Sequence, residues 1–169
     1  MVYSLRRENS ELRIKAFLRP LMKEALDGEQ IAFFGHSHGG LSGAIAAGID
    51  PLLDAVLLSG AGAVLIHTLL LRKDPVDLSL LVQAALGVNP NYLNTFHPTM
   101  NLIQMMVDAT DPVNYAPYWL NPDPGNTAKH VFITEGTLDV ATPSITTETL
   151  AAAARIPLIH PLSNESEAH

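Results

Sequence analysis

The sequence predicts an α/β fold with a mostly parallel sheet of about four strands flanked by helices. Three observations predict it. Short, continuously apolar runs stand at 31–35 (IAFFG), 54–60 (DAVLLSG) and 129–136 (KHVFITEG), and a weaker one at 156–161 (IPLIHP). Apolar runs without polar alternation belong to strands buried on both faces, as parallel strands are, so helices are expected on both sides of the sheet. Segments between these runs repeat their apolar residues at steps of three and four, the period of a helix. Finally, 47% of the 169 residues are hydrophobic and only 16% are charged, which suits one globular core.

Residues 10–27 are predicted to form a helix with Ile14, Phe17, Leu18, Leu21, Met22 and Ala25 on one face. Ser10 is its expected N-cap and Gly28 its stop, and Pro20 removes one backbone donor and kinks it. The first strand follows at once. From Gly39, GGLSGAIAAGI reads as a second helix, with a stripe of Leu41, Ala44, Ile45, Gly48 and Ile49 slim enough to lie close on a sheet. SITTETLAAAARI (144–156) is a helix capped by Ser144 or a neighbouring threonine. The passage 61–128 breaks the alternation. It holds apolar helical patches and the turn clusters GVNPN and NPDPGN, and it is far longer than a connection between adjacent strands. Its leucines, methionines and aromatics predict an inserted helical cap, which leaves 1–60 and 129–169 as the core.

Composition excludes several functions. The net charge is −7 and the basic residues are scattered, so no basic patch is on offer to nucleic acid. The absence of cysteine excludes disulfides, thiolate metal sites and a cysteine nucleophile. MVYSLRRENSELR lacks the apolar region of a signal peptide, and AVLIHTLLL (63–71) is too short to span a bilayer, so no integral membrane segment is expected.

The stretch FFGHSHGG (33–40) carries the chemistry. Strand, then Gly35-His36-Ser37-His38-Gly39, then helix is the context that makes G-x-S-x-G a nucleophile elbow. A serine there occupies a strained turn that lifts its hydroxyl clear of the backbone. Gly35 and Gly39 are expected to let neighbouring chain pass without a Cβ clash. The His38 N–H would then face the oxygen that turns negative during acyl transfer, half of an oxyanion hole. Read as H-x-H, His36 and His38 could instead open a metal site, but no second cluster of ligands has suitable spacing.

From about residue 10 to 160 the chain resembles the later part of an α/β-hydrolase. IAFFGHSHGGLSGAIAA resembles the family's fifth strand, elbow and following helix; DAVLLSGAG resembles the sixth strand. HVFITEGTLDVATP resembles the seventh strand and the acid-bearing turn, with Gly136, Asp139 and Pro143 matching the G-x-x-D and proline pattern. The resemblance implies a partial α/β-hydrolase fold and a Ser-His-Asp serine hydrolase of lipase or esterase type, with no cofactor. Ser37 would be the nucleophile and Asp139 the acid that orients the base, with Glu135 the runner-up. The family order of serine, acid, histidine leaves His160, inside the weak strand, and His169, after a loop. His169 is the expected base, unless the chain has none. His67, His97 and His130 are expected in structural roles.

The implied substrate is a small carboxylic ester or lipid. Tyr92, Phe96, Met100, Met105, Met106, Tyr115, Tyr118 and Trp119 of the cap would suit an apolar acyl group, though packing within the cap is expected to occupy most of them. The resemblance also implies an incomplete core, a fragment of a longer enzyme that lacks upstream strands and the second oxyanion donor they carry. IAFFG would then be an exposed apolar sheet edge, open to self-association. A non-catalytic remnant or binding module is the alternative, and a metal-dependent hydrolase using His36 and His38 is a third.

Overall fold

Ile31, Phe33, Val56, Leu58, Val131 and Ile133 alternate with their neighbours along three short strands and turn to one side, where the core forms. The computed structural model of the protein describes residues 30–157. The expected helix 10–27, His160 and His169 lie outside the described residues, as does most of the run 156–161. The described Ile156 and Pro157 are not in a strand.

Strands β1 (Ile31–His36), β2 (Leu53–Ser59) and β3 (His130–Thr134) form a parallel sheet in the order β1-β2-β3. The described sheet is thus α/β and parallel as predicted, with three strands rather than about four. Helix α1 (His38–Ile49) joins β1 to β2, and α5 (Ser144–Ala153) follows β3. Between β2 and β3 come α2 (Leu65–Leu71), α3 (Leu78–Leu86), α4 (Pro98–Val107) and four single 3-10 turns. Near the start of β2 the register with β1 shifts, and Asp54 turns its carboxylate to accept the Ile31 N–H at 2.8 Å.

Among the described residues the helices cover one face of the sheet, and the expected helix 10–27 lies outside them. Strand order advances in one direction, and right-handed crossovers then put successive connections on one side. Ala44 and Ala47 of α1, Leu150 of α5 and Trp119 accordingly join one core with Val56 and Leu58. On the other face Phe34, Leu57 and Phe132 stand side by side in register, 60%, 37% and 48% exposed. Among the described residues nothing covers that row.

Helix α1 is turned differently from its predicted stripe. Its buried residues are Gly40, Gly43, Ala44 and Ala47, while Ile49 is exposed. The smallest residues win because the helix lies so close: a Cβ on Gly40 would stand 2.8 Å from that of Ala61, and one on Gly43 would run into the Phe33 ring. Trp119, fully buried, donates its indole N–H to the Ala44 carbonyl at 2.9 Å and so ties the segment before β3 to this helix.

The capping of α5 is also corrected. Its N-cap is Pro143 without a side-chain cap, and Ser144 is the first helical residue. The threonine hydroxyls act as donors instead, Thr146 to the Pro143 carbonyl and Thr147 to the Ala61 carbonyl, both at 2.7 Å. Both are buried, and a buried hydroxyl needs a partner, so the nearest carbonyls take precedence over capping.

In the segment between β2 and β3, Met100 and Trp119 are fully buried, in line with packing. Tyr92, Phe96, Met105 and Met106 are not packed: Phe96 is 88% and Met106 83% exposed. The organising residue of this segment is Asp111. Fully buried, it accepts from the amides of Val64 at 2.9 Å, Leu65 at 2.8 Å and Val113 at 3.0 Å, and from the Gln104 side chain at 2.7 Å. Val64 needs that grip, since at φ 56° and ψ 75° it holds a left-handed conformation that a β-branched residue rarely adopts. Among the described residues no helix is long and apolar enough to cross a membrane.

Candidate active site

Three loops meet at the carboxyl ends of the strands, the edge where parallel sheets bind ligands. Ser37 follows β1, Gly60 follows β2, and the turn 135–143 follows β3. Backbone bonds stitch them together: the Ser37 N–H donates to the Ser59 carbonyl at 2.9 Å, and the Gly60 N–H to the Thr134 carbonyl at 3.2 Å.

At Ser37 the chain passes from strand to helix through a single residue, at φ 53° and ψ −121°. A non-glycine residue held there costs about 1–3 kcal/mol. Gly35 makes the turn possible, because a Cβ on it would collide with the Gly39 carbonyl and the Phe33 ring. Gly39 departs from expectation: a Cβ there would meet nothing within 4 Å. The crowding falls on Gly39's carbonyl, not on its α-carbon.

Ser37 is the N-cap of α1, yet its side chain makes no capping bond. A serine at this position ordinarily satisfies a first-turn amide. Here the Ser37 carbonyl accepts from Gly40 at 2.8 Å and Leu41 at 3.1 Å, and the exposed hydroxyl is uncommitted among the described residues. His38, first in the helix, has no intrahelical acceptor for its N–H.

Asp139 lies in the turn after β3. Its Oδ1 accepts the amides of Ala141 and Thr142, both at 2.8 Å, and its own N–H donates to the Gly136 carbonyl at 3.0 Å. Oδ2 is left without a partner among the described residues. It faces Gly60, whose φ of +55° suits glycine, and lies 3.8 Å from where a Cβ on that residue would stand. The His36 ring approaches the same point, its Cε1 also at 3.8 Å. Gly60 thus keeps open a gap that a side chain would fill.

His36 does not serve Ser37. Its Nδ1 is 3.2 Å from the Ser59 hydroxyl, so Ser59 holds the elbow twice, by its carbonyl and by its side chain. Sequence reasoning missed Ser59, Gly60 and Asp111; the pair Ser59-Gly60 at a strand end was the one legible signal. No imidazole bonds Ser37 among the described residues. No group of three His, Asp or Glu that could hold a metal ion occurs among them either, so His36 and His38 lack a third ligand there. His97 accepts from the Thr99 amide at 3.2 Å and caps α4, and His130 opens β3. Glu135, at the end of β3, has its carboxyl pushed above the ordinary value of 4.5, first by partial burial and then by the charge of Glu148.

The fold is distantly α/β-hydrolase-like, by its likeness to solved structures. One of them is the uncomplexed acylaminoacyl peptidase of Pyrococcus horikoshii, with a TM-score of 0.50 at 19% identity over 84% of this chain. The chain spans 20% of the length of that protein. No protein-family model matches the chain, nor does any curated protein.

Proposed function

We propose that the chain carries the nucleophile and acid of a serine hydrolase that cleaves carboxylic esters through an acyl-enzyme. The observation behind this is the conformation of Ser37: positive φ between strand and helix, with a hydroxyl that declines the capping role its position offers. The Ser37 Oγ attacks the acyl carbon, and an imidazole takes the hydroxyl proton. The His38 N–H steadies the resulting oxyanion. Asp139, with Oδ1 saturated and Oδ2 free, orients the imidazole and balances its charge. The alcohol leaves with the proton, and water then releases the acid. We assign the imidazole to His169 by its order after Asp139. In this proposal 61–128 is the cap, and its exposed Tyr92, Phe96, Met105 and Met106 favour an apolar acyl group. The likeness to an acylaminoacyl peptidase makes an N-acyl amide the competing substrate. A binding module without turnover is the second reading, favoured by the commitment of His36 to Ser59 and the lack of an imidazole on Ser37 among the described residues.

The test is intact mass after exposure of folded protein to a fluorophosphonate, beside Ser37→Ala. Displacement of fluoride by the Ser37 Oγ gives one adduct, absent from the variant. Turnover of a p-nitrophenyl ester against an N-acyl amino-acid anilide then decides the substrate class. A folded chain that takes no adduct would leave the binding reading standing.

A further inference from the structure

The segment that leaves the sheet after β2 returns to touch the acid turn. In the connection between α2 and α3, the Lys73 N–H donates to the Val140 carbonyl at 2.8 Å and the Asp74 N–H to the same carbonyl at 3.3 Å. Val140 stands between Asp139 and the two amides, of Ala141 and Thr142, that saturate Asp139 Oδ1. Residues 135–138 and Val140 are exposed, Leu138 almost wholly, so side-chain packing holds the turn only at Asp139 and at its far end, where Pro143 is buried.

The connection that supplies the two amides is itself braced. Lys73 Nζ donates to Asp77 Oδ2 at 2.8 Å and to the Ser79 hydroxyl at 2.9 Å, and Arg72 Nε donates to the Asp74 carbonyl at 2.8 Å. Asp77 in turn caps α3 through the Leu80 amide at 3.3 Å. Its carboxyl is drawn down to about 2, chiefly by the hydrogen bond from Lys73 and then by that from Ser79.

We infer that the connection 72–77 is a buttress of the acid turn, with Lys73 as a positioning residue whose backbone amide, through the Val140 carbonyl, keeps Asp139 in the orientation that leaves Oδ2 free. The inference rests on the reading of Asp139 as the catalytic acid for its purpose, but not for its geometry. The root of the inserted segment is then part of the site's scaffold. Any movement of the segment that breaks the contact at Val140 must loosen Asp139 as well.

Amide hydrogen exchange tests this without needing activity. Lys73→Pro removes the shorter of the two donors, leaving only the Asp74 N–H at 3.3 Å, and Arg72, extended at φ −65° and ψ 130°, already has the conformation that a following proline requires. Lys73→Ala removes the side chain beyond Cβ, with its bonds to Asp77 and Ser79, and keeps the backbone amide. The expected result is exchange at Ala141 and Thr142 faster by about tenfold or more in Lys73→Pro, and within about twofold of the parent in Lys73→Ala, with Leu58 in β2 unchanged. Unchanged exchange at Ala141 and Thr142 in Lys73→Pro, or equal acceleration in both variants, overturns the inference. Should Lys73→Pro not fold, exchange of the parent protein in rising urea decides. Lys73, Ala141 and Thr142 must open together with one urea dependence, and separate openings overturn the buttress. Failure of fluorophosphonate labelling would bear on the hydrolase reading alone.

Discussion

At Ser37, the proposed nucleophile, the backbone itself carries a cost. Its left-handed φ is unfavourable for any residue with a Cβ, and the hydroxyl recovers none of the cost by capping. Ser37→Gly should therefore raise stability by about 1 kcal/mol, measured by urea unfolding, while abolishing the fluorophosphonate adduct. A loss of stability would mean that the turn is not strained. Glu135 gives a pH signature. A carboxyl whose value is raised in the folded state favours folding below the ordinary 4.5, and that contribution is lost as pH rises through the folded value. Glu135→Gln should leave stability unchanged below pH 4 and slightly raise it at pH 7, the gain being small because the group is largely exposed. Thermal unfolding at the two pH values checks this. That Glu135 sits at a strand end was legible in the sequence; that it lies within reach of Glu148's charge was not, because only the return of α5 along β3 brings them together.

At the scale of elements, the strands were legible and the buried face of α1 was not. A continuously apolar run has few alternatives to a buried strand, and β1, β2 and β3 fall within a residue or two of the predicted runs. The face of α1 was misjudged because it was sought among the larger apolar residues. The sheet instead selected Gly40, Gly43, Ala44 and Ala47, since close approach excludes bulk. Asp111 was missed for a related reason. In sequence it is one aspartate before a proline; in the structure it gathers amides from residues 46 and 47 positions away. Asp111→Ala would leave those donors buried without a partner and release the strained Val64. It should cost about 3 kcal/mol or more, read by chemical denaturation. A loss under about 1 kcal/mol would show that the amides find other acceptors.

On the scale of the whole molecule, among the described residues one face of the sheet carries the α1 and α5 core, and the other shows the row Phe34, Leu57 and Phe132. A contiguous apolar row of this kind is sticky in water. The folded protein should bind 1-anilinonaphthalene-8-sulfonate, and Phe34→Lys should reduce both that fluorescence and aggregation on heating, with little change in the urea midpoint. A large drop in the midpoint would mean that Phe34 is buried in solution. The unpaired side of β1 adds to the hazard, since an edge strand among the described residues offers free backbone groups to another chain.

By itself the sequence determined the local features: three apolar strands, the glycine-flanked serine at a strand–helix junction, and the acid turn at the end of β3. Each is set by residues within about one turn of one another, through steric limits and hydrophobic period. Only the tertiary structure decided how they combine. The strand order put α1 and α5 on one face and brought the loops of Ser37, Gly60 and Asp139 to one edge. Burial chose Asp111 as a hub, Ser59 came to hold the elbow, and the connection at Lys73 came to rest on Val140. Those outcomes depend on contacts between residues far apart in the chain. Such contacts leave no periodic trace, because the chain pays for them in loop closure and not in local pattern.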